Sequence, residues 1–221
     1  MNPIFPSILS SNLFELAGTL QQMADNGVTF IHLDVMDGHF VDNISFGPET
    51  AADIKSRFSF AIDAHLMVTN PQRMIPHYAR AGADWISFHV EGNEPIDQTI
   101  DLVIRHGARP GLVINPNSPV SRLFPFLGRI NHVLLMSVFP GHGGQAFIPD
   151  TVGRVEELKA EIARQKVPCL IQVDGGLNLK NIASLKRAGT DLFVIGSFLA
   201  KAADIGATLR QLKSELKRSE T

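Results

Sequence analysis

Short runs of aliphatic and β-branched residues recur along the chain, and most are followed by longer stretches in which apolar positions return every three or four residues. The short runs read as strands at 4–9, 28–35 (VTFIHLDV), 60–67 (FAIDAHLM), 85–90 (WISFHV), 109–114 (RPGLVI), 132–138 (HVLLMSV), 169–174 (CLIQVD) and 192–196 (LFVIG). Helical period is found near 12–26, 71–81, 96–106, 150–165, 178–188 and 203–217, the last two with Lys and Arg facing outward. Gly27, Gly82, Gly107 and Gly189 each follow a helix at the place where a left-handed residue closes it. The repeated RAGADW and RAGTDL strings mark such a helix end feeding directly into a strand.

Strand and helix in alternation predict a parallel sheet with crossover helices. Eight such units in 221 residues leave about 28 residues per unit, close to the minimum a βα unit needs. The expectation is therefore α/β, one (β/α)₈ TIM barrel spanning 1–221 with no second domain. A doubly wound open sheet is the alternative, but it would carry a dinucleotide-type glycine turn after an early strand, and none is present.

Composition narrows the function classes. Hydrophobic residues at 44% and charged residues at 19% fit a folded globular chain. A formal charge of −2, with Lys and Arg scattered, gives no footprint for nucleic acid. No apolar run approaches the roughly 18 residues a membrane span needs, and MNPIFPSILSSN lacks the basic start of a signal peptide. A cytoplasmic protein, assembled as a homo-oligomer and without a membrane or nucleic-acid partner, is expected. The single cysteine, Cys169, excludes an intrachain disulfide and reads as a buried structural thiol.

Residues two apart in a strand face the same side, so His32, Asp34 and Met36 project together, as do His65 and Met67. Asp174 closes its own strand. All lie at C-terminal strand ends, where barrel active sites are built. A lone strand-end His or Asp is more often a hydrogen-bonded structural group, but two imidazoles and two carboxylates at such ends suit one divalent transition metal: zinc, iron, manganese or cobalt. The nitrogen and oxygen mix argues against magnesium or calcium. Asp34 and Asp174, from strands two and seven, can flank a substrate and act as the acid/base pair of a stereochemical inversion. A metal between them would polarise a carbonyl and stabilise an enediolate. Met36, Met67 and Met136 would wall the same space, although each alone also reads as core filling. Gly141, Gly143 and Gly144 in PGHGGQ, Gly175 with Gly176, and Gly196 with Ser197 follow the last three strands and describe a phosphate cradle of backbone N–H groups.

The strings PSILSSN, HLDVMDGHFVDN, HLMV, PGHGGQAF and VDGG resemble the signature segments of the ribulose-phosphate 3-epimerase family over essentially the whole chain. The resemblance implies a metal-dependent barrel of the ribulose-phosphate-binding type. It would interconvert ribulose 5-phosphate and xylulose 5-phosphate in pentose phosphate metabolism. It also implies His32, Asp34, His65 and Asp174 as metal ligands, with Asp34 as proton acceptor and Asp174 as donor. Ser7, His65, the Gly141–Gly144 loop, Asp174 to Gly176, Gly196 and Ser197 match substrate-binding positions.

Three positions depart from the family pattern. Phe139 stands where Asn, Asp or Glu is usual, His142 where Phe is usual, and Asp42 where Pro is common. Phe139 and His142 border the phosphate loop, and His142 adds an imidazole able to hydrogen-bond phosphate, so the substrate's length or identity is what they open to question. The rivals are an allulose-6-phosphate 3-epimerase and a lyase of the same barrel group, such as a hexulose-phosphate synthase or a Schiff-base aldolase. Against the aldolase, no lysine sits at the inward end of an expected strand. A non-catalytic sugar-phosphate binding module would not need two carboxylates and two imidazoles converging.

Overall fold

All eight apolar runs form strands: β1 Ile4–Pro6, β2 Phe30–Met36, β3 Ala61–Met67, β4 Trp85–His89, β5 Arg109–Ile114, β6 His132–Met136, β7 Leu170–Asp174 and β8 Leu192–Ile195. A computed structural model describes residues 2–92 and 95–219. Every neighbouring pair is parallel, in the order β1-β8-β7-β6-β5-β4-β3-β2. The two ends of this sheet meet through a parallel bridge between Ser7 and His32, so the sheet curls into a (β/α)₈ barrel. Ser7, which directly follows β1, therefore sits beside the residues of β2.

The helices are α1 Leu16–Asp25, α2 Pro48–Arg57, α3 Pro71–Arg80, α4 Ile96–Arg105, α5 Thr151–Gln165, α6 Ile182–Ala188, α7 Ser197–Ala200 and α8 Ile205–Arg218. Gly27, Gly82, Gly107 and Gly189 all take positive φ at the expected helix ends. Several details differ from the sequence pattern, among them β1, which stops at Pro6 and not near 9, and the short helix α7, which the pattern did not mark. Helix α2 was hidden because only Ala51 and Ile54 bury themselves in it, too few to set a period. The stretch between β5 and β6 holds a 3-10 helix, Val120–Phe126, interrupted by Pro125. Helix α6 begins at Ile182 and not near 178, because Asn178 and Asn181 spend their amides on the preceding turn. Asn178 N donates to Asn181 Oδ1 at 2.9 Å, Lys180 N donates to Asn178 Oδ1 at 2.9 Å, and both side chains donate to the Gly176 carbonyl.

Two apolar layers hold the barrel. The larger lies between the sheet and the helices. The smaller fills the inside, where Phe5 stacks on Phe30 with centroids 4.4 Å apart and Trp85 lies 5.0 Å from Phe30. Cys169 is buried, and burial and then the nearby Asp191 charge push its thiol up to about 12, so it is no nucleophile. Among the described residues, no helix is long and apolar enough to cross a membrane.

Asp37 ties the C-terminal ends of β2 and β3 together. Its Oδ2 accepts from the Thr69 N–H at 2.8 Å and hydroxyl at 2.9 Å, and its Oδ1 accepts from the N–H groups of His39 and Phe40. Burial acts to raise this carboxyl, but the donors outweigh it and bring it down to about 2. The folded pKa is thus below the unfolded value of about 4, so the contribution is full above pH 4 and is lost as pH falls towards 2. Asp37→Asn is expected to be about 1 kcal/mol less stable than wild type at pH 7, after discounting for solvent screening. Chemical denaturation should find the gap closing between pH 4 and 2; a gap independent of pH would contradict this role.

Candidate active site and metal centre

Because β2 and β3 pair in register, Asp34 lies beside His65 and His32 beside Asp63. The inward parity of both strands then carries His32, Asp34 and His65 to the barrel axis, and Asp174 arrives from the end of β7. One ligand atom from each of these four residues lies within 4.8 Å of all the others. His32 Nε2 is 3.6 Å from Asp34 Oδ1 and 4.0 Å from Asp174 Oδ2, and His65 Nδ1 is 3.5 Å from Asp34 Oδ1. His32 Nε2 and His65 Nδ1 are fully buried and have no hydrogen-bond partner. Two such nitrogens facing two carboxylates are the donor set of a divalent transition ion, and these residues can hold one.

The two carboxylates differ. Burial acts to raise Asp34, but the charge of His32 and the close approach of both His32 and His65 outweigh it and hold the carboxyl far below the usual range. Burial, and then the negative charge of Asp34, push Asp174 well above the usual carboxylate range. For His32 burial is opposed and overcome by the charges of Asp34 and Asp63, which raise it. Burial lowers His65 to about 4. Ser7 Oγ donates to Asp34 Oδ2 at 2.6 Å, and Ser45 Oγ donates to the Asp34 backbone carbonyl, so the side chain and the main chain of Asp34 are each held.

A cavity opens above this cluster. Ser7, Asp34, Asp174 and the three methionines Met36, Met67 and Met136 line it, and the methionines are almost fully buried. Gly141, His142, Gly143 and Gly144 also line it, as do Gly175, Gly176, Gly196 and Ser197. His65 does not line the cavity; it is fully buried beneath it, within the ligand cluster.

Residues 3–200 match the family described as Ribulose-phosphate 3 epimerase. A ribulose-phosphate 3-epimerase of Aquifex aeolicus is 44% identical over 97% of this chain and 96% of its own length. The chain belongs to the ribulose-phosphate 3-epimerase family. The Escherichia coli ribulose-phosphate 3-epimerase is 37% identical over 96% of this chain and 95% of its own. Among solved structures, KGPDC from Streptococcus mutans matches with a TM-score of 0.72 at 15% identity over the full length of both chains. The 3-hexulose-6-phosphate synthase of Salmonella typhimurium matches with a TM-score of 0.71, also at 15% identity, over 98% of this chain and 99% of its own. At that identity the two structures share the barrel alone.

Within this epimerase-family chain, the strands contain no lysine, so an imine-forming amine has no inward position. Phe139 is 52% exposed at the rim, His142 is exposed, and Asp42 is exposed on the neighbouring loop. None of the three touches the ligand cluster. The Gly141–Gly144 loop is braced by residues the sequence pattern did not single out. Gln145 Nε2 donates to the carbonyls of Phe139 at 2.7 Å and His142 at 2.8 Å, and Asn43 Nδ2 donates to Gly141 O at 3.0 Å. Glycine is required at the second loop for two reasons. Gly176 has φ of 66°, and a Cβ there would lie 2.6 Å from Phe147 N and 2.9 Å from Gln145 O. Gly176→Ala is expected to cost about 2 kcal/mol of stability and to raise KM for a phosphorylated sugar with less effect on kcat. Thermal unfolding and steady-state kinetics check this, and an unchanged KM would remove Gly176 from the cradle.

Proposed function

We propose that this chain inverts C3 of a phosphorylated ketose, interconverting D-ribulose 5-phosphate and D-xylulose 5-phosphate. The observation that carries the reading is the unlike pair Asp34 and Asp174: two carboxylates at the floor of one cavity, one held ionised and the other inclined to keep a proton. Inversion needs an acceptor on one face of the carbon and a donor on the other, in opposite protonation states. Asp34 takes the C3 proton, and Asp174 delivers its own to the opposite face. In the reverse direction the roles exchange. A divalent transition ion, zinc, iron, manganese or cobalt, held by His32, Asp34, His65 and Asp174, would polarise the carbonyl next to C3.

The remaining parts follow from the chain itself. Ser7 keeps Asp34 Oδ2 aimed along one direction. Met36, Met67 and Met136 exclude water from the planar, charge-delocalised carbon without offering it a competing donor. Backbone N–H groups of the Gly141–Gly144, Gly175–Gly176 and Gly196–Ser197 turns hold the phosphate and fix which carbon lies between the carboxylates. Metal-reconstituted enzyme offered ribulose 5-phosphate and allulose 6-phosphate, with product stereochemistry followed by NMR, tests the reading. Faster inversion of the pentulose at C3 is expected. Faster turnover of allulose 6-phosphate would assign the open rim at Phe139 and His142 to a hexulose.

A further inference from the structure

Behind each imidazole of the ligand cluster stands a carboxylate that the proton-transfer chemistry does not use. His32 Nδ1 lies 2.8 Å from Asp63 Oδ2, and the same oxygen accepts from Gln172 Nε2 at 2.7 Å. Asp63, His32 and Gln172 are all fully buried. An oxygen that already takes the Gln172 amide N–H is the acceptor toward His32 Nδ1 as well. His32 Nδ1 must therefore carry a hydrogen, and Nε2 is the nitrogen left for the cluster. On the other side His65 Nε2 lies 2.9 Å from His89 Nε2, and His89 Nδ1 lies 3.4 Å from Glu91 Oε2. Glu91 is itself held by the Asn115 N–H at 3.0 Å. With Glu91 accepting from His89 Nδ1–H, His89 Nε2 is bare and accepts from His65 Nε2–H. His65 Nδ1 is then the bare nitrogen, and it is the one that faces Asp34.

We propose that Asp63, and the His89–Glu91 pair behind His65, are positioning residues that set the tautomers of the two imidazoles so that His32 Nε2 and His65 Nδ1 present lone pairs to one metal ion. The inference rests on the metal reading given above. The opposite tautomer of either ring would aim an N–H at the ion and could ligate only after turning over, which the packed barrel interior opposes.

The test is zinc binding to metal-free protein, read by competition with a chelating dye, together with imidazole ¹⁵N and proton NMR of the zinc-loaded wild type. Asp63→Ala, which removes the acceptor, is expected to weaken zinc by roughly 10- to 100-fold. Asp63→Asn, which keeps an acceptor oxygen, should recover much of that loss, whereas Asp63→Leu, which fills a similar space without an acceptor, should not; a simple packing role would predict recovery in both. The wild-type spectrum should show hydrogens on His32 Nδ1, His65 Nε2 and His89 Nδ1, and this holds even if Asp63→Ala does not fold. Zinc affinity of Asp63→Ala within twofold of wild type, or hydrogens on the opposite nitrogens, would overturn the assignment. Wild-type protein that binds no zinc would overturn the metal reading, and this inference with it.

Discussion

Asp174→Asn is expected to lower kcat by at least about 10³-fold, the scale of removing a positioned acid/base group. The substitution keeps the size of the side chain but takes away the proton that Asp174 delivers. Asp34→Asn should fall at least as far, because an amide cannot accept the C3 proton and Ser7 Oγ loses its charged partner. Both residues also belong to the ligand cluster, so loss of turnover alone does not separate the roles. Solvent exchange does. With Asp34 intact, Asp174→Asn should still remove and return the C3 proton of ribulose 5-phosphate on one face, washing in solvent hydrogen without forming xylulose 5-phosphate. Asp34→Asn should show neither exchange nor inversion from that substrate. Turnover within a few fold of wild type in either variant would remove that carboxylate from the reaction.

Removal of metal is the second large effect. Chelation is expected to reduce epimerisation by about 10³-fold or more, and zinc, manganese, cobalt or ferrous iron should restore it. The reason lies in the buried cluster, where two carboxylates and two imidazoles share a space under 5 Å across and together can hold one ion. Metal at 100 times its Kd should also stabilise the fold by about 2.7 kcal/mol if it binds the folded state alone, so the melting temperature reports binding separately from activity. Full activity in protein stripped of metal, with no gain in melting temperature on adding it, would contradict a metal centre at these residues.

Much of this site was legible in the sequence because it is written in period two. His32 and Asp34 share an inward face by spacing alone, His65 falls at the matching depth of the next strand, and Asp174 ends its strand at a glycine pair. The three glycine turns were legible for a similar reason: each follows an apolar run directly, and the chain there has no side chain to offer. What spacing did not reveal was partnership between strands. Asp63 is two residues before His65 and Gln172 two before Asp174, so both were inward by the same rule. That Asp63 meets His32 depends on the register of β2 against β3, which no local pattern encodes. His89 lay in an expected strand at the same parity as Trp85, yet its contact with His65 crosses from one strand to the next. Helix α2 and the late start of α6 were missed for local reasons instead: too few apolar positions in one, and asparagine side chains bonding the backbone ahead of the other.

The central claim, inversion at C3 by two carboxylates on opposite faces, is tested most directly by running the metal-loaded enzyme in deuterium oxide and following C3 of the substrate and product by proton NMR. Asp174 exchanges its proton with solvent, so each conversion of ribulose 5-phosphate should place one deuterium at C3 of xylulose 5-phosphate. Xylulose 5-phosphate that keeps the original C3 hydrogen through many turnovers would contradict a two-carboxylate inversion.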